Sequence, residues 1–178
     1  MSLPGSRQKP NILITGTPGT GKTTTASRVA TELGFAHLNV SEIAIANKFV
    51  DSFDDQVASF NLDEDKLLDY LEAYLGSHDG GYVVEYHGCE LFPERWFDLV
   101  IVLRCDNTLL YDRLKARGYN EKKLTDNIDC EIFGILSEEA KESYDEQIVH
   151  ELASNTEEDV LSNVDRIVQW AHIYKPAT

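Results

Sequence analysis

No run in this chain approaches the roughly 18 consecutive apolar residues that a membrane-spanning helix requires, so the chain reads as soluble and no membrane partner is expected. Cysteine is scarce. Cys89, Cys105 and Cys130 are the three in 178 residues, widely spaced and without a CxxC pair. That spacing speaks against a disulfide framework and a zinc site, and it points to a reducing compartment, cytosol or nucleus. Positive charge is also in deficit, with 16 Lys plus Arg against 31 Asp plus Glu and a formal charge of −15. Such a surface repels phosphate polymers at long range, so direct nucleic-acid binding is not expected and any phosphate must be caught by local groups. An acidic surface suits a basic protein partner, and solubility alone explains it as well. The opening MSLPGSRQKP lacks the apolar core and small-residue cleavage site of a secretory signal, and residues 1–10 read as a flexible arm.

What is present fits one domain over residues 11–178, long enough to bury a hydrophobic core. PNILIT is a short strand-like run leading into glycines. KTTTASRVATELG then places Ala26, Val29, Ala30 and Leu33 at helical spacing, with Gly34 as its stop. FAHLNV reads as a second strand, and Ser41 as the N-cap of a helix over EIAIANKF, after which the acidic DSFDDQ breaks the pattern. DEDKLLDYLEAYL sets Leu67, Leu68, Leu71 and Leu75 on one face behind an acidic first turn. GGYVVEYHG and WFDLVIVLR are further strands, apolar enough to be covered on both faces. In LFPERWF, Trp96 and Phe97 read as packing anchors and Arg95 stays undecided. NTLLYDRLKARG is helical to Gly118, YNEKKLTDN reads as a polar connector to a long helix, QIVHEL as a weaker strand, and ASNTEED as a turn before a last amphipathic helix. Strands alternating with helices predict a parallel α/β sheet with its ligand at the carboxyl ends of the strands.

At that end stands GTPGTGKT. Gly16, Gly19, Gly21, Lys22 and Thr23 satisfy G-x-x-x-x-G-K-[ST], between the strand before and the helix after that the motif requires. Glycines permit the torsions that turn successive N–H groups inward around an anion, and the new helix aims its positive end at the same point. Lys22 can reach the β- and γ-phosphates, the Thr23 hydroxyl can ligate Mg²⁺, and Thr24 adds an N–H and a hydroxyl at the α-phosphate. The loop therefore predicts ATP with Mg²⁺.

Around it, YVVEYHG puts Glu85 and His87 at a strand end, where a carboxylate can orient Mg²⁺ through water. A water-facing carboxylate and a structural histidine are the plain alternatives. Arg113 and Arg117 lie four apart on one helix face, and two guanidiniums aimed at the cleft would neutralise a moving phosphoryl group. A helix C-terminus favours cations on its own account. Lys122 and Lys123 sit on a stretch that reads as a mobile lid or as an ordinary solvated loop.

The segments NILITGTPGTGKTT, EYHGCELFPERWFDLVIVLR, RGYNEKKLTDNIDCEIF and EEAKESYDEQIVHELASN, in order from Asn11 to about Trp170, resemble those of the adenylate kinase isoenzyme 6 family. The glycine-rich motif by itself identifies only a large superfamily; YHG and RGYNEKKLTDNI are more selective. The resemblance implies an α/β P-loop NTPase fold, a five-stranded parallel sheet flanked by helices, with a nucleoside-monophosphate-binding insertion near residues 39–64 and a lid near 116–126. It implies transfer of the ATP γ-phosphate to AMP with broad nucleotide tolerance, and an intrinsic ATPase activity. By position, Gly19, Thr20, Gly21, Lys22, Thr23 and Thr24 fall in the ATP loop, Arg117 at the lid arm and His87 at the catalytic strand end. It also implies nuclear and cytoplasmic location, binding to a small-subunit ribosomal protein, and through it a role on the pre-ribosome in late pre-rRNA cleavage.

Against the family pattern, Glu85 stands where Asp is usual, Ile45 where the monophosphate-binding helix tends to carry arginine, and Thr156 where a lysine is common. TDNIDCEIF also lacks the arginines with which ordinary adenylate kinases clamp both phosphate chains. Their absence predicts slow phosphoryl transfer, by a few kcal/mol in total or on the order of 10²-fold. Three readings follow: a nucleoside-monophosphate kinase, an ATP-driven assembly factor with water as acceptor, and a P-loop kinase for another small metabolite. All three share one expectation. Lys22→Ala abolishes ATP-dependent turnover while circular dichroism shows an intact fold; retained turnover would remove the lysine from the chemistry.

Overall fold

Ile12, Leu13 and Ile14 have no exposed surface, a condition met by a strand covered on both faces. In the computed structural model, which describes residues 6–54 and 59–176, they belong to β1 (Ile12–Gly16). The chain continues as α1 (Lys22–Leu33), β2 (Ala36–Asn39), α2 (Val40–Ala46), β3 (Val50–Asp54), β4 (Ser59–Leu62), α3 (Glu64–Leu75) and β5 (Tyr82–Glu85). Two single 3₁₀ turns lead into β6 (Leu99–Arg104), followed by α4 (Asn107–Ala116), α5 (Glu121–Ile132), α6 (Ile135–Ser143), β7 (Val149–Ala153) and α7 (Glu157–Ile173). Five strands form a parallel sheet in the order β2-β5-β1-β6-β7, with β1 at its centre. The register sets Ile14 beside Glu85 on one side and beside Ile101 on the other.

Alternation along the strands divides the core in two. On one face Leu13, Val84, Val100 and Val102 pack with α2, α3 and α6 through Val40, Leu67, Leu71 and Ala140. On the other, Ile12, Ile14, Val83, Ile101 and Leu103 pack with α1 and α7 through Ala26, Val29, Val164 and Ile167. Each fully buried Leu or Ile contributes about 1.5–3 kcal/mol relative to an exposed one. A smaller cluster of Cys105, Leu110, Leu114 and Leu124 joins α4 to α5. Trp96 and Phe97 are buried as anchors. Arg95 is also placed: its Nη2 and the Trp96 Nε1 both donate to Glu72 Oε2 at 2.6 Å.

The helix ends explain most departures from the sequence reading. Asn39, not Ser41, caps α2, its Oδ1 accepting from the Glu42 N–H at 3.2 Å, so the helix starts two residues earlier and buries Val40 and Ala44. The stretch expected to break the pattern at DSFDDQ supplies β3, paired antiparallel with β4 as a small separate sheet; residues 55–58 lie outside the described ones. YNEKKLTDN is not a loop. Asn120 accepts from the Lys123 N–H at 2.8 Å and starts α5 at Glu121, leaving four residues between α4 and α5. The expected long helix is two, interrupted at Gly134 with φ 64°. Thr156 caps α7 in a reciprocal box with Asp159.

The first ten residues are not all a flexible arm. Residues 1–5 lie outside the described ones, but Arg7 has no exposed surface. Its Nη1 donates to both Asp98 carboxylate oxygens at 3.0 and 3.1 Å, and Nη2 donates to the Arg95 carbonyl. Gln8 and Lys9 donate their N–H groups to the carbonyls of His78 and Asp79. Composition showed a polar arm; the buried partner, 91 residues away, is a tertiary fact. Among the described residues no helix is long and apolar enough to cross a membrane.

Asp98 also accepts the Asn11 N–H at 2.8 Å, so losing Arg7 leaves a buried carboxylate with its charge uncompensated. Arg7→Ala is expected to lower unfolding stability by about 3–5 kcal/mol, measured by urea denaturation. An unchanged midpoint would show that the clasp contributes nothing.

Candidate active site

The loop between β1 and α1 is held from behind. Lys22 Nζ donates to the Gly16 carbonyl at 2.8 Å and to that of Thr17 at 3.3 Å. The Thr17 carbonyl also takes the Thr20 N–H and hydroxyl, at 3.2 and 2.7 Å. Arg113 Nη1 donates to the Gly19 carbonyl at 3.2 Å, Ser154 Oγ to that of Thr20 at 2.6 Å, and the Thr25 N–H to that of Gly21 at 3.1 Å. With five loop carbonyls engaged by protein donors, the loop's remaining N–H groups and the start of α1 are left for an anion. Gly21 caps that helix at φ 89°, and Gly19 at φ 90° would bring a Cβ to 3.0 Å from both Leu110 and Leu114.

In front of the loop lies a cleft of about 570 Å³. Its walls include Gly19, Gly21, Lys22, Thr23 and Thr24 from the loop, Glu85 and His87 beyond β5, and Arg117 after α4. The first half of α5 closes the top with Lys122, Lys123, Asp126 and Asn127. Lys123 Nζ lies 4.3 Å from the centre of the Tyr119 ring, and Lys122 pairs with Asp126 at 2.8 Å. The stretch read as a lid is therefore a short turn and a helix start leaning over the loop.

Two expected residues are elsewhere. Thr20 is fully buried, its N–H and hydroxyl spent on Thr17, so it braces the loop without facing the cleft. Arg113 does not aim at the phosphates. Its guanidinium donates to the Gly19, Ser154 and Asn155 carbonyls, at 3.2, 3.1 and 2.8 Å. The spacing of four does put Arg113 and Arg117 on one side of α4. Cys105 and the β7–α7 loop stand next to the first, and open cleft next to the second.

Glu85 is 3% exposed and does not simply face water. Its Oε2 accepts from Thr23 Oγ1 at 2.8 Å, and its Oε1 lies 2.8 Å from His37 Nε2. A hydroxyl and a carboxylate side by side at the phosphate loop are hard oxygen donors suited to Mg²⁺. Among the described residues no group of three His, Cys, Asp or Glu could hold a metal alone. The fit is that of an ion completed by phosphate oxygens and water, so these two residues can hold Mg²⁺ once a nucleotide is present. His37 was not legible as a partner of Glu85, since their link is the β2–β5 pairing, which sets Asn39 opposite Glu85.

Two titratable groups of the cleft, Lys22 and His87, are shifted toward their neutral forms. Desolvation lowers Lys22 to about 8; Glu85 opposes this, Arg117 adds to it, and Glu131 opposes it. His87 is accessible from the cleft, yet crowding by the surrounding protein, then Lys22 and Lys123, holds its imidazole down at about 4. At neutral pH it is an uncharged ring 4.4 Å, centroid to centroid, from Tyr86.

Comparison with known proteins agrees with this geometry. The sequence profile of an AAA domain matches residues 12–134. The chain is 54% identical to the adenylate kinase isoenzyme 6 homolog of Caenorhabditis elegans, covering 98% of this chain and 96% of that one. It is 51% identical to the homolog of Drosophila melanogaster over 98% and 99% of the two chains. Against the homolog FAP7 of Saccharomyces cerevisiae it is 46% identical over 94% and 85%. The chain belongs to the adenylate kinase isoenzyme 6 family. Among solved structures it resembles shikimate kinase from Acinetobacter baumannii in complex with shikimate, with a TM-score of 0.61 at 18% identity over 92% and 93% of the chains. It also resembles shikimate kinase from Bacteroides thetaiotaomicron, with a TM-score of 0.58 at 14% identity over 92% and 99%. At such identities these two establish the fold, that of P-loop kinases.

For this family member, the departures at Ile45 and Thr156 gain a physical description. Ile45 is 56% exposed on α2 and borders no cavity described here. Thr156 serves as a helix cap. Residues that the sequence did not single out include Glu131, Ser154 and Tyr119; the first two act through contacts between distant segments that no local pattern encodes, and Tyr119 lines the cleft beneath Lys123.

The shift at Lys22 has a measurable consequence. Bound phosphates favour its charged form, so binding at pH 8 draws in about half a proton, and affinity falls as pH rises through about 8. At pH 6.5 the group is already charged and takes up none. Calorimetry of ADP binding in buffers of different ionisation enthalpy reads this directly, and Lys22→Met removes the uptake at pH 8.

Proposed function

We propose that this member of the family is a nucleoside-monophosphate kinase that converts ATP and AMP to two ADP, slowly and with broad nucleotide tolerance, and that it also hydrolyses ATP. The observation that carries the reading is the phosphate loop with its carbonyls engaged by protein donors and, beside it, the Thr23 hydroxyl donating to the Glu85 carboxylate at 2.8 Å. In the reaction an acceptor oxygen forms a bond to the γ-phosphorus as the bond to the β–γ bridging oxygen breaks, and ADP leaves. Mg²⁺, held by Thr23 with Glu85, would supply charge neutralisation on the phosphates. Lys22 and the loop N–H groups bind and orient the β- and γ-phosphates. Arg117 adds a guanidinium at the cleft wall, and the start of α5 excludes water. His87, neutral because its pKa is held at about 4, orients the acceptor or a water and does not store a proton at neutral pH.

The second reading, an ATP-driven assembly switch with water as acceptor, is supported by the neighbouring cavity of about 590 Å³. That cavity shares Tyr86, His87 and Leu136 with the cleft and is otherwise lined by Glu64, Glu90, Glu139 and apolar residues, without a lysine or arginine. A monophosphate dianion gains no charge partner there. Desolvation, Glu90 and Glu142 raise the pKa of Glu139. In this reading the chain works in the nucleus and cytoplasm, binds a basic small-subunit ribosomal protein, and acts through it on the pre-ribosome in small-subunit maturation.

Product analysis separates the two. The kinase yields two ADP for each ATP and AMP consumed; the switch releases inorganic phosphate without AMP, at a rate raised by the ribosomal protein. On the present reading, AMP-dependent ADP formation is detectable but at least about 10²-fold slower than in a metabolic adenylate kinase. A rate equal to that enzyme's would contradict the electrostatic reasoning. His87→Gly is expected to lower both rates, and unchanged rates would return the ring to a structural role.

A further inference from the structure

Glu131 is charged, 4% exposed, and absent from the lining of either cavity. Both its oxygens are engaged. Oε2 accepts from the Thr17 hydroxyl at 2.7 Å; Oε1 accepts from Arg104 Nε at 2.7 Å and from the Cys105 N–H at 3.1 Å. The Glu131 carbonyl also takes Arg104 Nη2 at 2.8 Å. Arg104 in turn donates to Glu151 Oε1 at 2.9 Å and to Ser137 Oγ at 3.3 Å. One side chain near the end of α5 thus ties together the phosphate loop, the end of β6, and through Arg104 the start of α6 and β7.

A buried ion pair is weak evidence for stability, because desolvation offsets most of the attraction; its clearer contribution is to fix one arrangement over others. What Glu131 fixes is Thr17. The Thr17 carbonyl takes the Lys22 ammonium and both Thr20 donors, so its placement sets the curvature of the loop and the rest position of Lys22. The same helix presents Lys123, Asp126 and Asn127 to the cleft about one to two turns earlier. A shift of α5 by a fraction of an ångström would therefore reach the loop through one hydrogen bond.

We propose that Glu131 is a positioning residue for nucleotide binding: its carboxylate holds the Thr17 hydroxyl and so locks the phosphate loop in register with the helix that covers it. The inference rests on the reading of the loop as a nucleotide site. It concerns how that site is held, and it places Glu131 outside contact with the nucleotide.

The test is a double-mutant cycle read by calorimetry with ADP and Mg²⁺, on Thr17→Val, Glu131→Gln and both together, with Thr17→Ser as the conservative variant. Thr17→Val and Glu131→Gln are each expected to weaken ADP about tenfold, with no further loss in the double variant, while Thr17→Ser binds within about twofold of the parent. The Ser and Val variants bracket the hydroxyl, so a simple loss of packing would not give this split. Thr17→Val binding like the parent, or losses that multiply in the double variant, would overturn the positioning role. Should Glu131→Gln fail to fold, the Thr17 pair still decides. A parent protein that binds no ADP would sink the nucleotide reading and this inference together; a parent that binds, with Thr17→Val unaffected, would sink this one alone.

Discussion

A backbone turn can hold a polyphosphate only if its N–H groups point one way, and that requires its carbonyls to be satisfied the other way. The chain meets this demand with two local donors, Thr20 from within the loop and Lys22 from the start of the next helix, and two distant ones, Arg113 from α4 and Ser154 from just after β7. These contacts explain why the strands after the loop matter to it. β6 runs parallel beside β1 and β7 beside β6, and just past their carboxyl ends stand Cys105, which accepts from the Arg113 that holds Gly19, and Ser154, which donates to Thr20. Sheet order is thus a statement about chemistry as well as packing. Had the strands been arranged otherwise, the loop would keep its glycines and lose its supports.

The same economy governs charge. A formal −15 is spread over the molecule, and the cations that face the cleft, Lys22, Arg117, Lys122 and Lys123, are confined to the loop and its cover. Desolvation holds Lys22 near the threshold of neutrality, and the carboxylates of Glu85 and Glu131 work against that tendency. Glu85 consequently acts on two partners, accepting a hydrogen bond from Thr23 and countering the loss of charge on the lysine. The crowding that neutralises His87 makes it a hydrogen-bonding group of fixed charge across the physiological range.

How much of this was legible beforehand follows from the range of each interaction. The loop, the helix after it, Gly34 as its stop, and the all-parallel sheet were written in local spacing. Caps were harder: Asn39 and Ser41 are equally good cap residues by type, and only the burial of Val40 and Ala44 decides between them. YNEKKLTDN misled because the exposed side of a helix and a solvated loop share a composition, while the signal that mattered was one Asn before an acidic residue. The β3–β4 pair escaped because its acidic residues obscure the alternation. Arg113 shows the other limit. Its helix face was right, and its destination depended on Ser154 and Asn155, some forty residues on. Glu131 had no sequence signature at all, since a carboxylate on an otherwise polar helix usually faces water.

The clasp between Arg7 and Asp98 has a mechanical side. Asn11 and Asp98 stand just before β1 and β6, at the amino ends of the strands, whereas the phosphate loop opens at their carboxyl ends. A tension applied through the first residues of the chain would load this ion pair before it could peel the central strand from its two neighbours. The protein is thereby fastened at the pole opposite its cleft, so strain arriving along the leading segment is absorbed about a strand length away from the phosphate loop.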